Sequence, residues 1–186
     1  MELLHTGTVR LETPRLTLRR FRTDDAPDMF VGWANDPAVT RYLSWRPHRE
    51  LRVTRDILEV WEASYQKSDF YNWAITPNPS DTVIGSISLY NIDAHSLSCE
   101  AGYCLARAWW GRGVMTEALQ CVMNYAFYTL GFHRLHAKHD TRNPASGRVM
   151  QKAGMQYEGV SRQCVLNGLG EFADCCCYAA LRSDFQ

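Results

Sequence analysis

The chain has 186 residues, a formal net charge of zero at pH 7 and a hydrophobic fraction of 46%. This length favours one domain over residues 1–186, and the hydrophobic fraction is enough for a core, which excludes a disordered chain. The balanced charge argues against nucleic-acid binding through phosphate neutralisation, and no apolar run approaches the roughly 20 residues of a membrane span. The amino-terminal segment lacks the apolar core of a signal peptide, and the consecutive cysteines Cys175–Cys177 cannot form an ordinary disulfide framework, so we expect a cytoplasmic location.

The first third of the chain is predicted to form one strand and two helices. Leu11–Phe21 alternates leucine with polar side chains, which is typical of a half-buried strand. A helix begins at Thr23 and ends at Asn35-Asp36-Pro37, and Arg49–Gln66 forms a second helix with one apolar stripe. Five arginines lie in or near the second helix: Arg41, Arg46, Arg49, Arg52 and Arg55. They form either a solvated helix face or a patch for an acidic substrate or partner.

The remainder of the chain is predicted to be rich in strands. The expected strands are Tyr71–Thr76, Thr82–Tyr90, Cys99–Leu105, Arg134–His139, Tyr157–Leu166 and Phe172–Leu181. The last two flank Asn167–Gly170 as a hairpin, and two further helices are expected, Met115–Leu130 and a shorter one from Asn143 to Gly154. This order predicts a single-domain α/β fold with a mixed, mostly antiparallel sheet, flanked by helices and including at least one crossover helix.

The stretch Gly111-Arg112-Gly113 lies between a predicted strand and a predicted helix. A P-loop requires GxxxxGK[ST], which the chain lacks, and a dinucleotide fingerprint requires a third glycine where Thr116 stands. The remaining possibility is a loop whose N–H groups, together with the N-terminus of the helix, hold an anion. Because an ordinary strand-to-helix turn has the same glycines, the loop alone leaves both interpretations open.

The residues on both sides of this loop resemble a known family. Glu100–Leu105 (EAGYCL), then Trp110–Gly113 (WGRG) and Thr116–Leu119 (TEAL), is similar to the acetyl-CoA motif of the GNAT N-acetyltransferases, and most similar to their RimJ/RimL-type branch. The strand at Leu11–Phe21 and the stretch Asn143–Met155 resemble further parts of that branch, as do Glu158-Gly159 and the strand of Asp174. The resemblance therefore covers most of the chain, and it implies the GNAT acyl-CoA N-acyltransferase fold.

The resemblance also implies where acetyl-CoA would bind. The residues implied for the pyrophosphate are Trp110, Gly111, Arg112, Gly113, Val114, Met115 and Thr116, mainly through backbone N–H groups. The pantetheine arm would lie along Tyr103, Cys104 and Leu105, and Asn143 and Ser146 would reach the arm and the sulfur. Met115 stands where the superfamily usually has Gly or Ala, and Val114 replaces the common aromatic residue of the branch. Since the expected contact at Met115 is a backbone N–H, that departure leaves the expected binding mode intact.

Acetyl transfer requires an unprotonated amine, and the cost of obtaining it depends on the acceptor. At pH 7 an α-amine of pKa near 8 loses its proton for about 1.4 kcal/mol, whereas a lysine amine costs about 4.6 kcal/mol. Glu100 is the first candidate for the general base, and a solvated carboxylate at a strand end is the alternative interpretation of this residue. His139 and Asp140 are the second choices.

The reaction also needs a polarised thioester carbonyl and assistance for the leaving thiolate. A backbone N–H near Cys104 or Leu105 would polarise the carbonyl. Ser146 is the candidate donor to the departing sulfur, with Asn143 beside it. The family often has a tyrosine in this role, and the stretch Asn143–Met150 contains none, so the identity of the acid stays open.

Metal-dependent and covalent mechanisms are disfavoured by the residue pattern. His133, His136 and His139 are spaced by three, which on a strand places successive side chains on opposite faces, and the same alternation separates Cys175–Cys177. We therefore expect no metal. Cys104 is expected to be a small buried hydrophobic residue and not an acyl-accepting nucleophile, because direct attack by an amine needs no acyl-cysteine.

Together these features predict an acetyl-CoA-dependent N-acetyltransferase that transfers the acetyl group directly to a primary amine in a ternary complex. The alternative is a non-catalytic acetyl-CoA-binding sensor or scaffold module, and a regulatory protein that uses the arginine-rich helix is a weaker third. The acceptor is either a protein N-terminal α-amine or a small-molecule amine. Candidate acceptor-cleft residues are Trp33, Tyr42, Trp45 and Arg46. The sequence is compatible with a monomer or a homodimer.

Overall fold

The computed structural model describes residues 2–185, and the predicted domain bounds extend over Met1 and Gln186, which lie outside the described residues. The strands are β1 (Leu11–Glu12), β2 (Leu16–Arg19), β3 (Tyr71–Pro77), β4 (Gly85–Asp93), β5 (Ser98–Leu105), β6 (Arg134–Asp140), β7 (Gln156–Leu166) and β8 (Phe172–Leu181). The helices are α1 (Ala26–Met29), α2 (Pro37–Thr40), α3 (Leu51–Ser64), α4 (Val114–Tyr125) and α5 (Pro144–Ala153). None of the helices within residues 2–185 is long and apolar enough to cross a membrane.

The eight strands form one sheet in the order β1-β2-β3-β4-β5-β6-β8-β7. Neighbouring strands are antiparallel except for β5 and β6, which are parallel and are connected through α4. A parallel pair requires such a crossover, because a tight turn reverses the chain direction. The predicted mixed, mostly antiparallel sheet flanked by helices is confirmed.

The predicted first strand is wrong in its extent. Leu11–Phe21 contains two short antiparallel strands, β1 and β2, with Leu11 opposite Leu18. Pro14 interrupts the run because it has no N–H to donate and restricts the residue before it. Nor is β2 half-buried, since all its residues are buried, including Arg19, whose guanidinium forms ion pairs with Asp25 and Asp81.

Apolar side chains pack on both faces of the sheet. On one face, Cys99, Ala101 and Leu105 of β5 belong to the larger cluster, which includes the buried sides of α4 and α5. On the other face, Cys104 packs against a smaller cluster formed by α1, α3 and the segments around them. Because side chains alternate along a strand, Glu100 and Gly102 lie on the same face as Cys104. The two faces of β5 thus point to different halves of the molecule.

The β7–β8 hairpin reaches back to the segment before α3. The backbone N–H of Gly168, in the hairpin turn, donates to the carbonyl of Leu43, and Nε of Arg46 donates to the carbonyl of Gly168. A Cβ on Gly168 would lie 2.4 Å from the carbonyl oxygen of Trp45, so only glycine allows this close approach. The contact joins the hairpin turn to the segment before α3.

Candidate acetyl-transfer site

The strands β5 and β6 pair only at their beginning. Ser98, Cys99 and Glu100 are opposite Arg134, Leu135 and His136, and no pairing continues beyond them within the described residues. The edge of β5 from Ala101 to Leu105 that faces β6 therefore has backbone groups without a sheet partner, as an extended amide-containing ligand needs. A cavity of about 320 Å³ lies at this gap.

The cavity is lined from both faces of the sheet. Its lining includes Tyr103, Asn143, Ser146 and Met150 from the α4–α5 side, and Tyr42, Ser44, Tyr90, Glu100 and Lys138 from the other side. A molecule that enters from one face can therefore meet a second molecule that enters from the opposite face. This arrangement suits group transfer between two substrates.

The loop before α4 has the geometry of an anion-binding cradle. Gly111 and Gly113 both have φ of 74°, in the left-handed region that glycine tolerates best. Gly113 is the N-cap of α4 and no side chain caps it, so the first N–H groups of the helix, at Val114, Met115 and Thr116, have no helical partner. No atom lies within 4 Å of the position that a Cβ on Gly111 would take. The residues present therefore fit a pyrophosphate bound to the backbone.

The unusual residues Val114 and Met115 are explained by their burial. Both side chains point into the larger core cluster, at 3% and 5% exposure. Their backbone N–H groups remain at the start of the helix, where an anion is stabilised by the helix dipole. A larger side chain at Met115 than the superfamily usually has therefore changes core packing and leaves the cradle available.

The cradle is fixed to the start of the sheet by an ion pair. Nε of Arg15 donates to Glu117 Oε2 at 2.6 Å, and Nη1 of Arg15 donates to the carbonyl of Arg112 at 3.1 Å. The hydroxyl of Thr13 donates to the same carboxylate at 2.6 Å. The loop conformation is thus held before any ligand binds.

Trp110 holds the end of β5. Its indole Nε1 donates to the carbonyl of Leu105 at 2.8 Å, and its ring is about half exposed. The guanidinium of Arg112 lies over the neighbouring Trp109 ring. Trp110 therefore shapes the path between the strand edge and the cradle.

On the α4–α5 side, Ser146 and Tyr103 face each other across the gap. The hydroxyl of Tyr103 lies 3.0 Å from Oγ of Ser146 and donates to the Ser146 carbonyl at 3.1 Å. Burial raises the pKa of Tyr103, so its hydroxyl stays protonated at neutral pH. Asn143 is the N-cap residue of α5, and its side chain lines the same cavity. The structure therefore brings Tyr103, Asn143 and Ser146 together.

Glu100 lies on the opposite side and is buried, with 2% of its surface exposed. Its Oε1 accepts from the Tyr90 hydroxyl at 3.1 Å, and Nζ of Lys138 lies 3.1 Å from Oε1 in an ion pair and donates to Oε2 at 3.4 Å. Its Oε2 accepts from the Asn91 side chain at 3.0 Å. The interpretation of Glu100 as a solvated carboxylate is therefore wrong, because a buried carboxylate needs partners and this one has three.

Gly102 allows the aromatic partner of Glu100 to take its place. A Cβ on Gly102 would lie 2.8 Å from Cε1 of Tyr90, so the Tyr90 ring covers the glycine. Burial and the charge of Glu100 raise the pKa of Tyr90, which therefore remains a hydrogen-bond donor. Because Gly102 has no side chain, the Tyr90 ring can pack over it while the Tyr90 hydroxyl donates to the Glu100 carboxylate.

The second candidates for the base, His139 and Asp140, are engaged elsewhere although both line the cavity. Asp140 accepts from Nε and Nη2 of Arg142 at 2.9 and 2.7 Å, and this contact lowers its pKa. His139 stacks on Tyr178, and its Nδ1 lies 2.8 Å from the Asp140 carbonyl. Arg142 thus occupies the Asp140 carboxylate, whereas the basic Nε2 of His139 lies against Gly147 of α5, 2.5 Å from the position of a Cβ on that glycine, and so on the side opposite to Glu100.

The acceptor side of the cavity has a wall from two distant segments. Tyr42, Leu43 and Ser44 line it together with Val165 and Asn167 of the hairpin. Of the other predicted acceptor residues, Trp33 is fully buried in the smaller core cluster. Trp45 packs against that cluster, and Arg46 is bound to the hairpin turn, so only Tyr42 lines the cavity directly.

Cys104 does not face the cavity. Its Sγ lies 3.2 Å from Oγ of Ser86, and burial raises the pKa of its thiol to about 11. A thiol with that pKa is a poor nucleophile at neutral pH. No group of three or more His, Cys, Asp or Glu side chains in residues 2–185 is arranged to hold a metal ion.

Sequence reasoning missed three side chains of the site. Lys138 and Tyr90 contact Glu100, and the hydroxyl of Tyr103 contacts Ser146. The sequence predicts a role for Tyr103 only through its backbone, as part of the strand along the pantetheine arm. The alternation of side chains along the strand RLHAKH predicts that Lys138 lies on the opposite face of the sheet from Ala137 and His139. Its position beside Glu100 depends on the parallel register of β5 and β6, for which the sequence has no local signal.

Comparison with known proteins identifies the family. Residues 15–156 match the family described as "Acetyltransferase (GNAT) domain". The chain is 32% identical over 152 residues to an uncharacterized N-acetyltransferase, p20, of Bacillus licheniformis, covering 82% of this chain and 85% of that protein. It is 28% identical over 167 residues to the [ribosomal protein uS5]-alanine N-acetyltransferase of Escherichia coli, covering 85% of this chain and 84% of that protein.

A solved structure agrees on the fold. The crystal structure of a GNAT-family acetyltransferase from Bacillus anthracis superposes with a TM-score of 0.81 at 23% identity, covering 94% of this chain and 99% of the other. The matched family region contains β2 to α5, and therefore both the cradle and the gap between β5 and β6. The chain belongs to the GNAT family of acetyltransferases and is an N-acetyltransferase similar to the RimJ/RimL-type branch.

Proposed function

We propose that this protein transfers the acetyl group of acetyl-CoA directly to a primary amine in a ternary complex. One observation supports this proposal above the others. Glu100 and Ser146 line one cavity from opposite faces of the sheet, at the point where β5 and β6 separate. An amine and a thioester that entered from these two faces would meet between a carboxylate and a hydroxyl.

The cosubstrate side rests mainly on backbone groups. The N–H groups from Gly111 to Thr116 would bind the pyrophosphate, and the free edge of β5 at Tyr103–Leu105 would pair with the pantetheine amides. A backbone N–H near Cys104 or Leu105 would polarise the acetyl carbonyl. Acetyl-CoA supplies the activated acetyl group, and we assign no metal to the reaction.

Glu100 is proposed to receive the proton of the acceptor amine, directly or through one water. A carboxylate is a weak base, so it suits an amine whose deprotonation costs little near neutral pH. The partners Tyr90, Asn91 and Lys138 hold the carboxylate in place, and Tyr90 and Lys138 line the same cavity. Glu100 therefore acts best with an α-amine.

Ser146 is proposed to donate a hydrogen bond to the departing sulfur, with Asn143 next to it at the start of α5. Tyr103 is proposed as a positioning residue, because its hydroxyl contacts both Oγ and the carbonyl of Ser146. In this proposal the Tyr103 hydroxyl donates to Oγ of Ser146, which leaves the Oγ proton for the sulfur. A thiol of pKa near 8.5 needs only modest assistance to leave.

A protein N-terminal α-amine is the acceptor that we favour, over a small-molecule amine. The E. coli relative is named for the alanine of ribosomal protein uS5, and its identity of 28% extends over 85% of this chain. The acceptor wall is open enough to leave Glu100 in contact with a cavity of about 320 Å³. We place this reaction in the cytoplasm, in a monomer or a homodimer, without nucleic acid or membrane as a partner.

The test is thiol release from acetyl-CoA in the presence of a panel of amines and N-terminal peptides, with mass detection of the product. We expect turnover with at least one α-amine, and intersecting lines when both substrates are varied. Parallel lines would indicate an acyl-enzyme and contradict direct transfer. Tight acetyl-CoA binding without turnover for any acceptor would favour the non-catalytic sensor or scaffold.

A further inference from the structure

Lys138 is a charged residue of the cavity to which neither the motifs nor the family resemblance gives a role. It lies on β6 with 34% of its side chain exposed, next to the carboxylate of Glu100. It is the one lysine or arginine among the described residues that line the cavity. Arg142, which lies between the lining residues Asp140 and Asn143 in the sequence, uses its guanidinium on Asp140 and Glu171.

The hydrogen bonds of this pair are incomplete on both sides. The ammonium of Lys138 has three N–H donors, and within residues 2–185 its only hydrogen bond is to Oε2 of Glu100 at 3.4 Å, with Oε1 at 3.1 Å in the ion pair. A carboxylate has about four acceptor positions, and Tyr90, Asn91 and Lys138 occupy three of them. The pair can therefore take one donor from an acceptor molecule at Glu100 and give one donor at Lys138.

An α-aminoacyl group matches these two open positions. Its amine nitrogen and carbonyl oxygen are separated by two backbone atoms and lie about 3 Å apart in the compact conformation. Nζ of Lys138 and Oε1 of Glu100 are 3.1 Å apart. The amine can thus donate to Glu100 while the adjacent carbonyl oxygen accepts from Lys138.

From this geometry we infer that Lys138 selects acceptors in which the reacting amine is adjacent to a carbonyl group, as in peptide N-termini and amino acids. The inference rests on the proposed amine acetylation at Glu100. A simple alkyl amine, including the side chain of lysine, has no carbonyl at this position and would leave the Lys138 donor unused.

The charge of Lys138 acts in the same direction. A cation beside the binding position disfavours the protonated form of a bound amine. Burial alone would lower the pKa of Lys138, but the hydrogen bond and charge of Glu100 outweigh it and raise that pKa. The residue therefore remains charged at neutral pH, and an α-amine, which is less basic than a lysine amine, tolerates this neighbour better.

The experiment compares two small acceptors, alaninamide and sec-butylamine, in the wild-type protein and in Lys138→Met. Both amines have the same branching at the reacting carbon, but only alaninamide has the carbonyl. We expect kcat/KM in Lys138→Met to fall by about tenfold to a hundredfold more for alaninamide than for sec-butylamine, the range of one charge-assisted hydrogen bond, because any loss that acts through Glu100 affects both amines equally. Lys138→Arg, which keeps a charged donor, is expected to retain the preference for alaninamide.

Each amine is compared between the wild-type protein and Lys138→Met. The basicity of the free amine is the same in both measurements and therefore cancels from the change in kcat/KM. An equal fall for both amines in Lys138→Met would show that Lys138 serves only Glu100, and would overturn the inference while amine acetylation stands. If the wild-type protein acetylates neither amine nor any peptide, the proposed function fails as well. If alaninamide is preferred as expected, free alanine and an alanine-initiated tripeptide amide are compared next. This comparison shows whether the enzyme prefers an amino acid or a peptide N-terminus.

Discussion

The two sides of the cavity differ in the kind of group that lines them. The cosubstrate side uses backbone groups in two nearby stretches of the chain, the end of β5 and the loop before α4. The acceptor side uses side chains from β4, β5 and β6, together with a wall from Tyr42–Ser44 and the β7–β8 hairpin. The backbone groups of the cosubstrate side require glycines at a fixed spacing within one stretch of the sequence. The side chains of the acceptor side come from separate stretches and are brought together only by the fold. This difference predicts that variants on the two sides affect separate steps.

The largest effect is expected on the cosubstrate side, from Gly113→Asp. The new carboxylate would stand where the pyrophosphate binds, at a position of φ 74°. We expect acetyl-CoA affinity, measured by calorimetry, to fall by more than about a hundredfold. The new carboxylate would repel the pyrophosphate at a helix N-terminus that otherwise stabilises anions.

Two controls separate charge from strain. Gly113→Ala places a Cβ at the same left-handed position without charge, and Gly170→Asp places the charge at another left-handed glycine, in the hairpin turn. We expect a smaller loss of affinity for the first and none for the second. Unchanged affinity in Gly113→Asp would contradict the assignment of the cradle.

The next effect is expected on the acceptor side, from Glu100→Gln. The amide keeps the shape of the buried side chain but cannot accept a proton, so kcat/KM for the amine should fall by about a hundredfold to ten-thousandfold. Acetyl-CoA affinity should stay within about twofold. The matched control is Glu158→Gln, which removes a carboxylate paired with Arg134 at the surface and should leave kcat/KM unchanged. Retention of wild-type activity in Glu100→Gln would assign the base elsewhere.

The pH dependence should reveal the acceptor amine and not the site. For an α-amine of pKa near 8, log kcat/KM should rise with unit slope up to about pH 8 and then level off, because only the neutral amine attacks. The pKa of Lys138 is raised above its ordinary 10.5, so its loss of charge should not reduce activity below that pH. An acceptor with a lysine amine should shift the rise upward by about two pH units. The same rising limb for both acceptors would contradict this assignment.

The smallest effect is expected at the sulfur, from Ser146→Ala. One hydrogen bond to a good leaving group accounts for about tenfold in kcat, with little change in acetyl-CoA affinity. Tyr103→Phe removes only the hydroxyl that contacts Ser146 and should reduce kcat by less than Ser146→Ala does. Since Tyr103 would act through Ser146, adding Tyr103→Phe to Ser146→Ala should have no further effect. Additive losses in the double variant would contradict the positioning role.

The two sides also differ in how much of them the sequence predicts. The order of strands and helices along the chain, the glycine loop and the start of α4 follow from local patterns, and Glu100 and Ser146 follow from the family resemblance. The division of the first strand at Pro14 has a local signal, because proline lacks the N–H that a strand donates. By contrast, the contact between Lys138 and Glu100 depends on strand register, and the contact between Tyr103 and Ser146 depends on how far β5 and β6 separate. Neither property has a signature in a single stretch of residues.

Gly168 has a consequence for how the acceptor preference of this protein can change. The Arg46–Gly168 contact joins parts of the chain that are 122 residues apart, and the backbone of Gly168 fits only against the present path of Leu43–Arg46. Insertion or recombination in one of these segments alone would break the fit and open the cavity to solvent. New acceptors are therefore expected to arise from paired changes in both segments, on an unaltered cosubstrate half.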